Sequence, residues 1–113
     1  MKNANVFVDV DLTLVDADKR LLPGAREGLQ RLKEEGCRLF LWSTGGAEYC
    51  QKIAHLHRLT DLFDAFVAKP DILIDDMPGT CVTPYAYNVQ EAGSWPAVAE
   101  KIVEERLTEQ RCW

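Results

Sequence analysis

A chain of 113 residues has room for one compact domain and one continuous core, so residues 1–113 are expected to form a single unit that carries the whole function. Its 47% apolar and 27% charged residues fall in the ordinary globular range, away from disordered chains. The net charge of −5 comes with scattered lysines and arginines, which argues against nucleic acid as the main partner, since that needs a concentrated basic surface.

No apolar run is long enough to span a bilayer, and the opening MKNANVFVDVD lacks the apolar stretch and small-residue cleavage site of a secretory signal. A cytoplasmic protein with no membrane partner is expected. Cys37, Cys50, Cys81 and Cys112 make no C-x-x-C pair, so mostly buried free thiols are expected rather than a zinc site or a disulfide frame.

Short β-branched runs alternate with amphipathic segments, the pattern of a parallel sheet with crossover helices, and predict an α/β sandwich. The first strand is expected over Asn5 to Val10 (NVFVDV), ending in acids rather than in a turn dipeptide. Pro23 and Gly24 introduce AREGLQRLKEEG, where Ala25, Leu29 and Leu32 share one helical face and Gly36 sits at the C-terminal cap position. CRLFLW reads as a strand buried on both faces, stopping at Ser43-Thr44-Gly45-Gly46, with a helix from about Ala47 to Leu59 after it. DAFVAK predicts a third strand, DILIDD a fourth that again ends in carboxylates, and TCVTP a fifth. Ser94 caps a last helix in which Trp95, Val98, Ala99, Ile102, Val103 and Leu107 keep helical spacing.

In an open α/β sheet, ligands bind beyond the carboxyl ends of the strands. The polar residues expected there are Asp9, Asp11 and Thr13, then Ser43, Thr44, Gly45 and Gly46, then Lys69, then Asp75 and Asp76. Four carboxylates on one edge would repel one another unless a cation lay among them. All the donors are oxygens, so Mg²⁺ is favoured over Zn²⁺ as the cofactor.

Asp9 and Asp11 are two apart, and on an extended chain they project to the same side. Such a pair can divide covalent attack on phosphorus from proton transfer at the leaving oxygen. Ser43 and the glycines that open the next helix suit a phosphate oxygen, through the hydroxyl and free backbone N–H groups. Lys69, kept extended by Pro70, can offset carboxylate charge and hold a transferring phosphoryl group. Each feature alone has an ordinary structural explanation: a solvated strand end, a helix cap, a surface lysine.

Taken in order, FVDVDLT, LFLWST, and AKP running into DILIDD resemble the haloacid dehalogenase-like (HAD) superfamily of hydrolases, over positions 6 to 76. The resemblance implies a three-layer sandwich around a central parallel sheet, and a magnesium-dependent phosphatase working through an aspartyl-phosphate. It implies Asp9 as nucleophile and metal ligand, and Asp11 as acid/base that also offers its main-chain carbonyl to the metal. Thr13, Ser43, Thr44 and Gly45 would bind the substrate phosphate and Lys69 would stabilise it. Asp75 would be the second metal carboxylate, with Asp76 in support. In that family the second aspartate, here Asp11, separates phosphatases from dehalogenases. The cap domain usual in the family has no room, because Asp9 to Ser43 holds only a flap around Val15 to Leu22, one helix and one strand. The site is therefore expected to be open to a phosphorylated substrate whose class the residues do not name, and a homo-oligomer could close it.

Two readings from other classes stand beside this one. A receiver-type signalling domain shares the length and the acidic pocket, but its adjacent acidic pair comes early and its lysine late, the reverse of Lys69 and Asp75-Asp76. An idle interaction module on the same fold would have lost catalytic residues, and none is lost here.

Overall fold

The computed structural model describes residues 2–76 and 85–107. Its sheet has three parallel strands in the order β1-β2-β3: β1 Asn5–Asp9, β2 Arg38–Ser43 and β3 Ala65–Ala68. Two crossover helices join them, α1 Ala25–Glu34 and α2 Ala47–Leu56. Beyond lie a short helix α3, Val89–Ala92, and α4, Trp95–Ile102, which runs on as a π-helical turn over Val103–Leu107. The class is α/β, a small parallel sheet flanked by helices.

Register follows from the apolar pattern. Val8 lies opposite Leu41 and Phe7 opposite Phe40, so Val8, Leu39 and Leu41 share one face and are buried. Both crossovers step in the same direction, and right-handed connections then put α1 and α2 on that face. On the other face the Phe7 ring stacks on Phe40, centroids 4.8 Å apart, and meets Trp42 edge-on at 4.9 Å.

The core holds Leu14, Leu29, Leu32, Leu39, Leu41 and Leu59, all fully buried. Helix α1 begins at Gly24, whose φ of +76° a side chain would resist, and ends before Gly36 at φ +92°. Its Gly28 packs tightly against α4: a Cβ there would stand 2.8 Å from Trp95 Cε3 and 3.2 Å from the Trp95 carbonyl oxygen. Helix α4 starts as its sequence foretells, the Ser94 hydroxyl accepting from the Ala97 N–H at 3.2 Å.

Helix α2 stops three residues earlier than its apolar spacing suggested. The chain turns at Arg58, φ +57°, and a 3-10 turn over Thr60–Leu62 follows. A larger departure is DILIDD: residues 71–76 form no strand, and Ile72 and Ile74 are 83% and 94% exposed. Strand β3 ends at Ala68 on the carboxyl edge of the sheet, leaving only Lys69, Pro70 and Asp71 before Ile72. A parallel fourth strand would have to start from the opposite edge, which takes a crossover of a dozen or more residues. Pro70 also removes a ladder donor at the point of departure. The predicted TCVTP strand lies outside the described residues.

Of the four cysteines, Cys37 and Cys50 are buried free thiols, both pushed up in pKa by burial, with the nearby Asp9 charge adding to the effect at Cys50. Cys81 and Cys112 lie outside the described residues. Among the described residues no helix is long and apolar enough to cross a membrane.

Candidate active site

The carboxyl ends of the three strands gather Asp9, Thr13, Ser43 and Lys69. Asp9 is the last residue of β1 and lies opposite Trp42 of β2. Just past β3, the Lys69 N–H donates to the Ser43 carbonyl at 2.9 Å, which continues the β2–β3 pairing by one step. From there the Lys69 side chain crosses the Trp42 ring, 5.5 Å from its centroid, and places Nζ 3.1 Å from Asp9 Oδ1. Both partners remain about one-third exposed, at 31% and 36%, so the pair faces solvent at the mouth of the sheet. Thr13 approaches the other carboxylate oxygen, its hydroxyl 3.5 Å from Asp9 Oδ2.

Between Asp9 and Thr13 the backbone leaves the strand and winds around one carbonyl. Val10 O accepts from the N–H groups of Leu14 at 2.9 Å and Val15 at 3.1 Å, with Thr13 at 3.4 Å. The turn places Leu12 at φ +62°, a left-handed conformation unusual for a branched side chain. Asp11 therefore lies beyond the strand rather than on it, and it has its own partners. Lys19 Nζ pairs with Asp11 Oδ1 at 2.5 Å, and the Tyr49 hydroxyl donates to the same oxygen at 2.8 Å. The hydrogen bond from Lys19 holds the Asp11 carboxyl below its ordinary range, and the same contact pushes Lys19 up to about 12. Tyr49, from α2, is raised by burial.

Lys19 comes from the flap, which is closed by an antiparallel bridge between Val15 and Leu21. The Asp16 carboxylate accepts from the N–H groups of Asp18 and Arg20, both at 2.9 Å, and fixes the turn. The Lys19 carbonyl is 2.8 Å from His57 Nε2, and Arg26 in turn donates to the carbonyls of His57 and Arg58. Flap, α1 and the end of α2 are thereby tied together.

Ser43 is almost fully buried, at 3% exposure, and its Oγ accepts from the Gly45 N–H at 3.0 Å. The Gly46 N–H donates to the Ser43 carbonyl at 3.2 Å. The amides of Gly45 and Gly46, which the sequence pattern offered as free phosphate donors, are thus spent inside the turn. The Ser43 hydroxyl hydrogen remains to be donated. Thr44 is exposed at the rim, and Gly46, at φ +99°, starts α2 without a side-chain cap. The second position after Ser43 resists a side chain, because a Cβ at Gly45 would meet Tyr49 Cδ2 at 3.0 Å.

Asp75 and Asp76 stand on the exposed 71–76 segment. Among the described residues no three His, Cys, Asp or Glu side chains group closely enough to hold a metal ion. The carboxylates of Asp9 and Asp11 are partly exposed hard oxygen donors, each paired with a lysine.

Three residues of the site carry no signal in the sequence. Lys19 and Tyr49 lie 8 and 38 positions from Asp11 and follow no motif. Trp95 was legible only as core, yet its indole Nε1–H donates to the Thr13 carbonyl at 2.9 Å across 82 positions and ties α4 to the loop behind Asp9.

Comparison of the chain with protein-family models, with curated proteins and with solved structures returned no match.

Proposed function

We propose that the chain is a magnesium-dependent phosphate-monoester hydrolase of the HAD type, which passes through an aspartyl-phosphate on Asp9. The observation that carries this reading is the Asp9–Lys69 pair at 3.1 Å. It lies at the solvent-facing carboxyl edge of a parallel sheet with Thr13 beside it, a carboxylate and a cation brought from opposite sides of the sheet to one open point. A second reading, as a phospho-accepting signalling domain, has no observation of its own in its favour.

In this reading an Asp9 carboxylate oxygen attacks phosphorus, the bond from phosphorus to the ester oxygen breaks, and that oxygen takes a proton from Asp11. Water then gives a proton to Asp11 and attacks the same phosphorus. The bond from phosphorus to Asp9 breaks, inorganic phosphate leaves and Asp9 is restored. Lys69 balances charge on the phosphoryl oxygens, and the Ser43 hydroxyl donates to one of them. Lys19 has to move away from Asp11 before Asp11 can carry the proton, because the ion pair favours the charged carboxylate.

Asp9 and, on the strength of the sequence resemblance, the Asp11 main-chain carbonyl would hold Mg²⁺, which takes one or two carboxylates and completes its octahedron with water and phosphate oxygens. Asp75, with Asp76, would be its further support on the strength of the sequence resemblance. When bound, the ion would neutralise the phosphate oxygens next to the nucleophile.

The test is a pair of substitutions that fail differently. Asp9→Asn should lose both turnover and labelling by beryllium fluoride. Asp11→Asn should slow turnover about a hundredfold to ten-thousandfold and accumulate a phospho-enzyme with an activated aryl phosphate. Intact mass after acid quench, followed by peptide mapping, would locate the adduct; an adduct on any residue other than Asp9 would refute the mechanism.

A further inference from the structure

Two cations meet the candidate site, and they divide it. Lys69 contacts Asp9, the carboxylate that would bond to phosphorus, whereas Lys19 contacts Asp11, the carboxylate that would serve the leaving oxygen. Lys19 therefore lies on the leaving-group side.

Its main chain is held from several directions. The Lys19 N–H donates to the Asp16 carbonyl at 3.0 Å, and its own carbonyl lies 2.8 Å from His57 Nε2. The residue adopts φ +64° in the middle of a turn braced by Asp16. The side chain, by contrast, is 48% exposed and rests against the Tyr49 ring, its Nζ 5.6 Å from the centroid. An anchored backbone with a solvent-facing ammonium is suited to meeting an incoming anion.

The side chain can also leave Asp11 at small cost. An exposed ion pair is weakly held in water, and the Tyr49 hydroxyl stays hydrogen-bonded to the same Asp11 oxygen at 2.8 Å when the lysine swings off. Asp11 is never left without a donor. A neutral leaving group offers Lys19 nothing in exchange for Asp11; an anionic one does.

Resting on the hydrolase reading above, we infer that Lys19 is a specificity-determining residue which binds a second anionic group on the alcohol portion of the phosphate ester. The substrate class is then phosphate monoesters whose leaving group carries a carboxylate or another phosphate, rather than esters of neutral alcohols.

The test uses two esters of nearly equal size, 2-carboxyethyl phosphate and n-propyl phosphate, with the full chain and Mg²⁺. The wild-type kcat/KM should be about tenfold or more higher for the carboxylate ester, and added salt should erode this preference. Lys19→Met should bring the ratio close to one, and Lys19→Arg should keep most of it. A ratio unmoved in Lys19→Met, or a wild type with no preference, overturns the inference while leaving the hydrolase reading intact. If wild type releases phosphate from neither ester, that reading fails, and calorimetric titration with 2-carboxyethyl phosphate decides the inference alone. Binding that weakens about tenfold in Lys19→Met sustains the anion site, and absent or unchanged binding overturns it.

Discussion

Replacing Trp95 by Phe should uncouple α4 from the loop behind Asp9, and its cost can be built from the contacts. The indole is 3% exposed, and its Nε1–H makes the 2.9 Å bond to the Thr13 carbonyl. Losing such a bond costs about 1 kcal/mol net, and about 1–3 kcal/mol where the abandoned carbonyl stays dry. The smaller ring gives up further packing, about 1 kcal/mol. The total is about 3 kcal/mol, a large share of the roughly 5–15 kcal/mol that holds a small domain together. Urea unfolding followed by circular dichroism should show a lower midpoint with an unchanged slope, and Tm should fall by about 12 °C at roughly 4 °C per kcal/mol. Trp95→Ala should cost about 3–5 kcal/mol. Because Thr13 also approaches Asp9, turnover in folded Trp95→Phe should decline as the loop loosens. A loss below about 0.5 kcal/mol for Trp95→Phe would show that the indole bond does not hold the loop, and the packing argument would go with it.

Asp64 accepts from the Leu39 N–H at 2.8 Å and from Lys33 at 3.1 Å, and these contacts, the backbone bond foremost, lower its pKa. A depressed carboxylate contributes stability that is complete above its unfolded pKa of about 3.9 and lost as pH falls through the lower folded value. Asp64→Asn should therefore cost about 1 kcal/mol at pH 7, with the difference from wild type shrinking as pH falls from about 4 through the lowered folded value. A constant difference across that range would show that the charge is not what matters. For the metal, excess chelator should abolish phosphate release, Mg²⁺ should restore it and Zn²⁺ should substitute poorly; full activity in chelator refutes an oxygen-ligand cation at Asp9.

Much of the sheet and its first two helices could be read from periodicity, because NVFVD and RLFLWS place their apolar residues where a buried sheet face needs them and α1 keeps Ala25, Leu29 and Leu32 in line. DILIDD misled for a physical reason: alternation and β-branching describe a strand that could form, but not whether the chain can return to the correct edge of the sheet. The Asp9–Lys69 pair was legible through the order of motifs, since strand ends in a parallel sheet converge wherever the residues lie in sequence. The Ser43 turn was legible as a strand-to-helix turn but not in its bonding, because spacing cannot tell a free amide from one satisfied by its own neighbour. Lys19 and Tyr49 were not legible at all, since both reach Asp11 through folds of the chain that leave no periodic trace.

The bridge between Val15 and Leu21 brings the two ends of the flap side by side. The chain leaves and re-enters the core at nearly one place, so the five residues between could be exchanged for a far longer segment without displacing Leu14 or Leu22. Each doubling of such a loop adds only about 0.6 kcal/mol of closure entropy. This is a natural docking point for gene-level grafting: a new module could be spliced in there as a ready-made selectivity device. The graft would remove Lys19 and, with it, the ion pair that now covers the Asp11 carboxylate.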